Sequence, residues 1–359
     1  MIKTHRIFNS RLYKGLCLVV LANLIFPSVS AAPLFKSQKP LTVVLTAPFS
    51  AVFNEKKKEI RSYRDGAISY KNNTEETVRL PVSVKTRGNF RRANCERPPL
   101  MLNFSSKETK GSLFKSQNKL KLVAPCQSGF KFQQYVGLEY LAYQIYAEIS
   151  DTHFKTRLLD INYLDSNKKS KPWTGTGFVI EEIGDLAKRT GHKQIRADKL
   201  NRSQMDLAKT ALVEVFQLLI GNNDYSTIRA KEGICCHNSR IIVNKDGDGK
   251  YIPVPYDFDF SGIVDASYAF PNPKYPIKTV RGRFFTGWCK EDEHFQNAVN
   301  TFITKKQNIL ELAINAPILN DFSRKSTVRY IENFYKMIGN PKQVKRNILK
   351  RCRGKVVTG

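Results

Sequence analysis

In several stretches of the first half, hydrophobic and polar positions alternate with a period of two. Residues 41–53 and 78–87 read this way, with β-branched residues in alternation, and so do 99–104 and 119–124. This is the signature of half-buried strands. The period changes over 132–149 (FQQYVGLEYLAYQIYAEI), where Val136, Leu138, Leu141, Ile145 and Ile149 fall on one broad face of a helix. A strand over 157–164, the polar turn DSNKKSKPWTG and a strand over 177–182 then predict a hairpin.

The character shifts after residue 183. Residues 205–220 form a strongly apolar helix that Gly221 ends. Short strands over 240–243 and 251–255 flank NKDGDGK, a Pro-rich segment covers 261–290, and helices follow near 292–314, 321–338 and 341–351. NKDGDGK opens like a calcium loop, but Pro255 stands where the closing Glu is required, so a hairpin turn is the better reading. The expected fold class is α+β in two lobes: β-rich with one helix over 32–182, mostly helical over 183–359.

The first 31 residues change the picture of where the protein works. Lys3, Arg6, Arg11 and Lys14 precede an apolar run from Gly15 to Phe26, then Pro27 and the small residues Ser28 to Ala32. That order is a secretory signal peptide, cleaved after Ala31 or Ala32. Its apolar run is too short to span a bilayer. An exported chain, periplasmic or secreted, is expected, with no transmembrane segment after the signal is removed. The formal charge of +28 attracts polyanions, yet the basic residues are spread throughout and no nucleic-acid-binding motif accompanies them. Six cysteines remain beyond the leader, an even number that suggests disulfides. Cys95 with Cys126 would staple neighbouring strands, and Cys235 or Cys236 could reach Cys289; spacing does not decide the pairing.

Three segments carry candidate chemistry. In VKTRGNF (84–90) a strand runs into Gly88 with Lys85, Arg87, Arg91 and Arg92 around it, which suits phosphate or an ordinary hairpin turn. In IGNNDYS (220–226) Asp224 follows a buried helix on an Asn-rich loop, as a catalytic group or a helix-capping acid. In VPYDFDF (254–260) Asp257 and Asp259 alternate with aromatics after an apolar strand. Carboxylates at i and i+2 of a strand point the same way, toward a metal or a salt bridge. No metalloprotease His spacing and no GxSxG elbow is present.

The order of segments matters more than any one of them. RGNF, ERPPLMLNF, LKLVAPC, VGLEYLAYQIYAEI, RLLDINYLDS, GFVIEEI, LLIGNND, CCHN and PYDFDF, between about residues 80 and 262, together resemble the spore-coat CotH family of atypical protein kinases. The resemblance implies a two-lobed kinase-like fold and transfer of the ATP γ-phosphoryl group, with Mg²⁺ or Mn²⁺, to a hydroxyl of a protein or other polymer, an acidic acceptor being one option. It makes Asp224 the catalytic acid-base group and Asn238, Asp257 and Asp259 the metal ligands. Arg97 would contact phosphate, with Glu139 as its partner on the helix. Glu181 and Glu182 would sit at a hinge beside the nucleotide base. Lys85, Arg87, Gly88 and Lys121 would surround the phosphates. A non-catalytic exported binding or coat protein on the same fold is the alternative.

Overall fold

Strand β1 (Leu41–Ala47) buries every second residue, Val43, Leu45 and Ala47, and its neighbours follow the same rule. The computed structural model describes residues 1–2, 33–229, 235–247 and 249–358. The expected signal segment therefore lies, apart from its first two residues, outside the described residues. After β1 come a short helix α1 (Phe49–Asn54), β2 (Arg64–Lys71) and β3 (Thr77–Thr86). A five-residue helix α2 (Phe90–Asn94), β4 (Leu100–Asn103) and β5 (Lys119–Val123) follow. The 20-residue helix α3 (Phe130–Ile149) leads into β6 (Thr156–Asp165) and β7 (Trp173–Ile180).

These seven strands form a closed barrel in the order β1-β2-β3-β4-β5-β7-β6. Closure is made by parallel pairing of β1 with β6, from Leu41 opposite Leu159 to Ala47 opposite Asp165. The interior holds Leu45, Ile68, Leu80, Val84, Leu102, Leu122, Ile161 and Val179. Where β7 passes Val123 the strands approach so closely that a side chain at Gly177 would strike the Val123 carbonyl.

A two-lobed atypical kinase-like fold was expected, and the closed barrel corrects it. The β-rich part is not the open sheet of such a lobe. Alternation fixes which face is buried, not whether the first and last strands meet. The kinase, ATP-binding and magnesium attributes tied to that fold lose its support, and the disulfides alone stand from that set. The class is mixed α+β, with the barrel followed by a helical C-terminal region.

The outer face of β5, β6 and β7 is buried as well. Phe178 leaves the barrel wall to pack edge-on against Tyr140 and Tyr143 of α3. This second core continues through the later elements. Those are α4 (Ile183–Arg189), β8 (His192–Ile195), α5 (Leu207–Ile220), β9 (Ser239–Asn244), β10 (Ile252–Pro255) and β11 (Trp288–Lys290). They end with α6 (Asp292–Thr304), α7 (Lys306–Ile314), α8 (Asp321–Ile338), α9 (Pro341–Val344) and β12 (Arg353–Val357). Helix α5 is buried almost all round, and its polar Glu214 is neutralised inside by Lys290 at 2.5 Å. Among the described residues no helix is long and apolar enough to cross a membrane.

Among the described residues three disulfides are present: Cys95–Cys126, Cys235–Cys236 and Cys289–Cys352. The first is the expected staple. The expected link from Cys235 or Cys236 to Cys289 is corrected: the two adjacent cysteines bond to each other, and Cys289 joins β11 to the chain entering β12.

Candidate functional site

The hairpin of β9 and β10 sets Asn238 and Asp257 side by side. Ser239 pairs with Pro255 at its end, and the Tyr256 N–H donates to the Asn238 carbonyl at 3.1 Å. Both residues adopt left-handed backbone angles, with φ of +49° at Asn238 and +65° at Asp257. Non-glycine residues hold such angles only where the surroundings impose them. Here the Asp257 N–H donates to the Tyr143 hydroxyl at 3.0 Å. Phe258 behind it is fully buried, 4.6 Å from the Tyr143 ring and 5.4 Å from that of Phe216.

That anchoring overturns one expectation. Asp257 and Asp259 lie beyond the strand, which ends at Pro255, so the i and i+2 rule does not apply to them. Asp257 faces the cleft, and among the described residues its carboxylate has no hydrogen-bond or ion-pair partner. Asp259 is buried, accepts from the Tyr268 hydroxyl at 3.3 Å and lies 3.8 Å from the Arg91 guanidinium.

Asp224 arrives from the C-terminus of α5. Gly221 ends that helix with φ of +65°. Arg283, in the basic segment VRGRFFTG, donates to the Leu218 and Leu219 carbonyls at 3.0–3.1 Å and so satisfies the helix end. The loop beyond is thereby fixed. Asp224 Oδ1 meets His237 Nε2 at 2.8 Å. The Asn238 amide donates to the Asp224 carbonyl at 2.6 Å and to Oδ2 at 3.1 Å. The hydrogen bond to Asp224 raises the His237 pKa above its ordinary value.

The barrel supplies the cations. Lys85, Met101 and Lys121 are directly paired across β3, β4 and β5 and share one outward row. Met101 and Lys121 reach the cleft, together with Arg87 and Gly88 from the loop after β3. Gly88 takes φ of +81° there. Lys121 lies 4.6 Å from the centre of the Tyr256 ring. Burial, and then the charges of Arg87 and Arg240, push its pKa down to about 7.

Beneath this floor Arg91 donates to Glu139 of α3 at 3.1 Å and to the Ala124 carbonyl at 2.6 Å. Burial raises the Glu139 pKa, and the neighbouring Asp259 and Asp257 add to it against the pull of Arg91. Burial and the adjacent Asp257 raise that of Asp259. Arg91 itself stays charged: burial works against it, but Tyr268, Glu139 and Asp259 hold its pKa above the ordinary value.

The sequence-derived residues thus separate into two sets. One cleft, with a volume near 500 Å³, brings together Arg87, Gly88, Lys121, Asp224, Asn238, Asp257 and Asp259, with Glu139 behind Arg91. Four residues lie elsewhere. Arg97 stacks 5.0 Å from the Trp173 ring centre in a separate small pocket at the barrel wall. The cation paired with Glu139 is Arg91, six residues earlier. Lys85 packs over Tyr63 at 4.3 Å. Glu181 does not line the cleft; its side chain is buried in a two-pronged pair with Arg189 at 2.9 and 3.0 Å, while Glu182 caps α4. Sequence reasoning missed His237 as the partner of Asp224, and Arg240 near Lys121. Their signal was adjacency to Asn238 alone.

Among the described residues one trio of His, Cys, Asp or Glu has potential ligand atoms within 4.8 Å of one another: Glu291, Glu293 and His294, which do not line this cleft. A comparison with models of known protein families matches none of them, and a comparison with curated protein sequences finds no relative.

Proposed function

We propose that the cleft binds the phosphate chain of a nucleoside triphosphate and transfers its terminal phosphoryl group to a hydroxyl of a protein or other polymer acceptor. The observation that carries this is the division of the cleft between oxygen ligands and cations. Asp224, Asn238 and Asp257 come from the α5 loop and the β9–β10 hairpin, and Arg87, Gly88 and Lys121 from the barrel. Phosphoryl transfer needs little beyond positioning and charge neutralisation, and this division suits both. The motif order that resembles the CotH family supports the same reading.

Asp257 and the Asn238 side-chain oxygen fit a hard divalent cation such as Mg²⁺ or Mn²⁺. Both are oxygen donors, and among the described residues neither has a partner. When bound there, the cation would neutralise phosphate charge. Arg87 and Lys121 would hold the phosphate oxygens. Asp224 would orient the acceptor hydroxyl and take its proton as the oxygen bonds to the terminal phosphorus. The bond from that phosphorus to the bridging oxygen breaks, and the nucleoside diphosphate leaves.

Three disulfides fit an oxidising compartment, so the proposal places the reaction outside the cytosol. The donor there must be released or delivered nucleotide.

One observation favours a second reading. Both Asp224 carboxylate oxygens are engaged, by His237 and by Asn238. A non-catalytic exported binding or coat protein would keep phosphate capture and dispense with an available base. Incubation with labelled ATP and Mg²⁺, wild type against Asp224→Asn and Asp257→Ala, separates the two. Label transfer to an acceptor or to the protein itself, lost in both variants, supports the enzyme. Thermal stabilisation by ATP and Mg²⁺ without any transfer, lost in Asp257→Ala, supports the binding protein. Neither transfer nor stabilisation sinks both.

A further inference from the structure

A second cavity, of about 300 Å³, shares Asp224 and Phe260 with the cleft. Its other walls come from the Pro-rich segment, chiefly Phe270, Pro271, Asn272 and Ile277. That segment is latched beside Asp224. Asn272 donates to the Asn223 carbonyl at 3.4 Å, and its own side-chain oxygen accepts the Lys274 N–H at 3.1 Å. The first of these contacts sets the wall beside the proposed acid-base group.

The chemistry of the wall selects a ligand class. Phe270 is 59% exposed at the cavity mouth. Its ring centre is 5.6 Å from that of Phe260 at 88°, and Phe90 stands 5.0 Å from Phe260 at 89°. Successive perpendicular rings form an edge-to-face lattice that another aromatic ring extends favourably.

We propose that this cavity receives an aromatic side chain of a polypeptide acceptor, next to the hydroxyl that reaches Asp224. The acceptor role rests on the phosphoryl-transfer reading, whereas the binding itself does not. The test is ligand-observed NMR on the whole protein without nucleotide. The probes are the capped peptides Gly-Ser-Phe-Gly and Gly-Ser-Gly-Gly and a glucose disaccharide. Saturation is expected on the phenylalanine ring protons only. Affinity for that peptide should fall about tenfold in Phe270→Ala, from loss of ring contact and burial. It should be retained in Phe270→Trp and unchanged in Phe322→Ala, an exposed ring on α8. Equal behaviour of the two peptides, no saturation of either, preferential disaccharide binding, or an unaltered Phe270→Ala would each overturn the proposal. Absence of phosphoryl transfer with peptide binding intact would count against the reaction alone.

Discussion

The Arg91 guanidinium lies 3.1 Å from the Glu139 carboxylate, and the same group stands 3.8 Å from Asp259. One buried cation thus joins the short helix after β3, the long helix α3 and the segment carrying both cleft aspartates. Cys95–Cys126 closes the end of that short helix onto the chain after β5 and holds the cation in place. Glu139 is only 2% exposed, so water does little to weaken the interaction.

Arg91→Met should therefore cost about 3–5 kcal/mol, because it strands two buried carboxylates without a counter-charge. Arg91 pulls both carboxyl pKa values down against burial, so without it they rise further above those of the unfolded chain, which loses these protons first. The loss should grow as pH rises above the ordinary carboxylate range. Urea unfolding at pH 5 and pH 8 measures it. The double variant Arg91→Met with Glu139→Leu should recover part of the loss; recovery of none would mean that the pair is not the main interaction.

Lys121 sets a pH dependence. Its pKa falls from 10.5 in the unfolded chain to about 7 when folded. Between those values the unfolded chain holds a proton that the folded protein has lost, so its contribution makes stability rise with pH across that window. Phosphate binding needs the charged form. Affinity for a nucleoside triphosphate should fall above pH 7, by at most about tenfold per unit. Calorimetric titration should show a flatter profile in Lys121→Met; the same slope in both proteins would remove Lys121 from the site.

Arg283 gives a test of how Asp224 is positioned. Arg283→Ala removes the donors to the Leu218, Leu219 and Tyr330 carbonyls and a ring contact at 3.6 Å with Tyr330. Leaving these buried groups unpaired should cost about 2–3 kcal/mol. Amide hydrogen exchange should accelerate at 218–224 more than in the barrel strands. A uniform acceleration would point to a global effect instead.

The Cys289–Cys352 bond spans 63 residues. Chain entropy alone gives it about 4 kcal/mol. Replacing both cysteines with serine should lower the denaturant midpoint by a corresponding amount and leave phosphate binding intact, since neither residue lines the cleft. An unchanged midpoint would show the unfolded chain to be compact without the link.

Sequence patterns alone placed most of the regular elements, and the order of motifs singled out the acids that line the cleft. Two-residue alternation marks β3, β5 and β6, because burial of one strand face is a local property. The apolar run with Gly221 marks α5 and its stop, since only a left-handed residue continues the chain there. Local pattern was silent on β2, whose RDGAISYK begins polar and carries a glycine.

Tertiary structure decided the rest. Whether β1 meets β6 depends on pairing residues more than a hundred positions apart, and alternation names no partner. The same limit hid the true pairing of Cys289 and put the cleft cation at Arg97 instead of Arg91. Which arginine reaches Glu139 is set by the fold of the chain around Cys95 and Cys126. Asp257 and Asp259 look equivalent in sequence; Phe258, buried between them, turns one toward the cleft and leaves the other under Arg91. Residue type and spacing state what chemistry is available, but only the packed core fixes which group faces the cleft and which is neutralised inside.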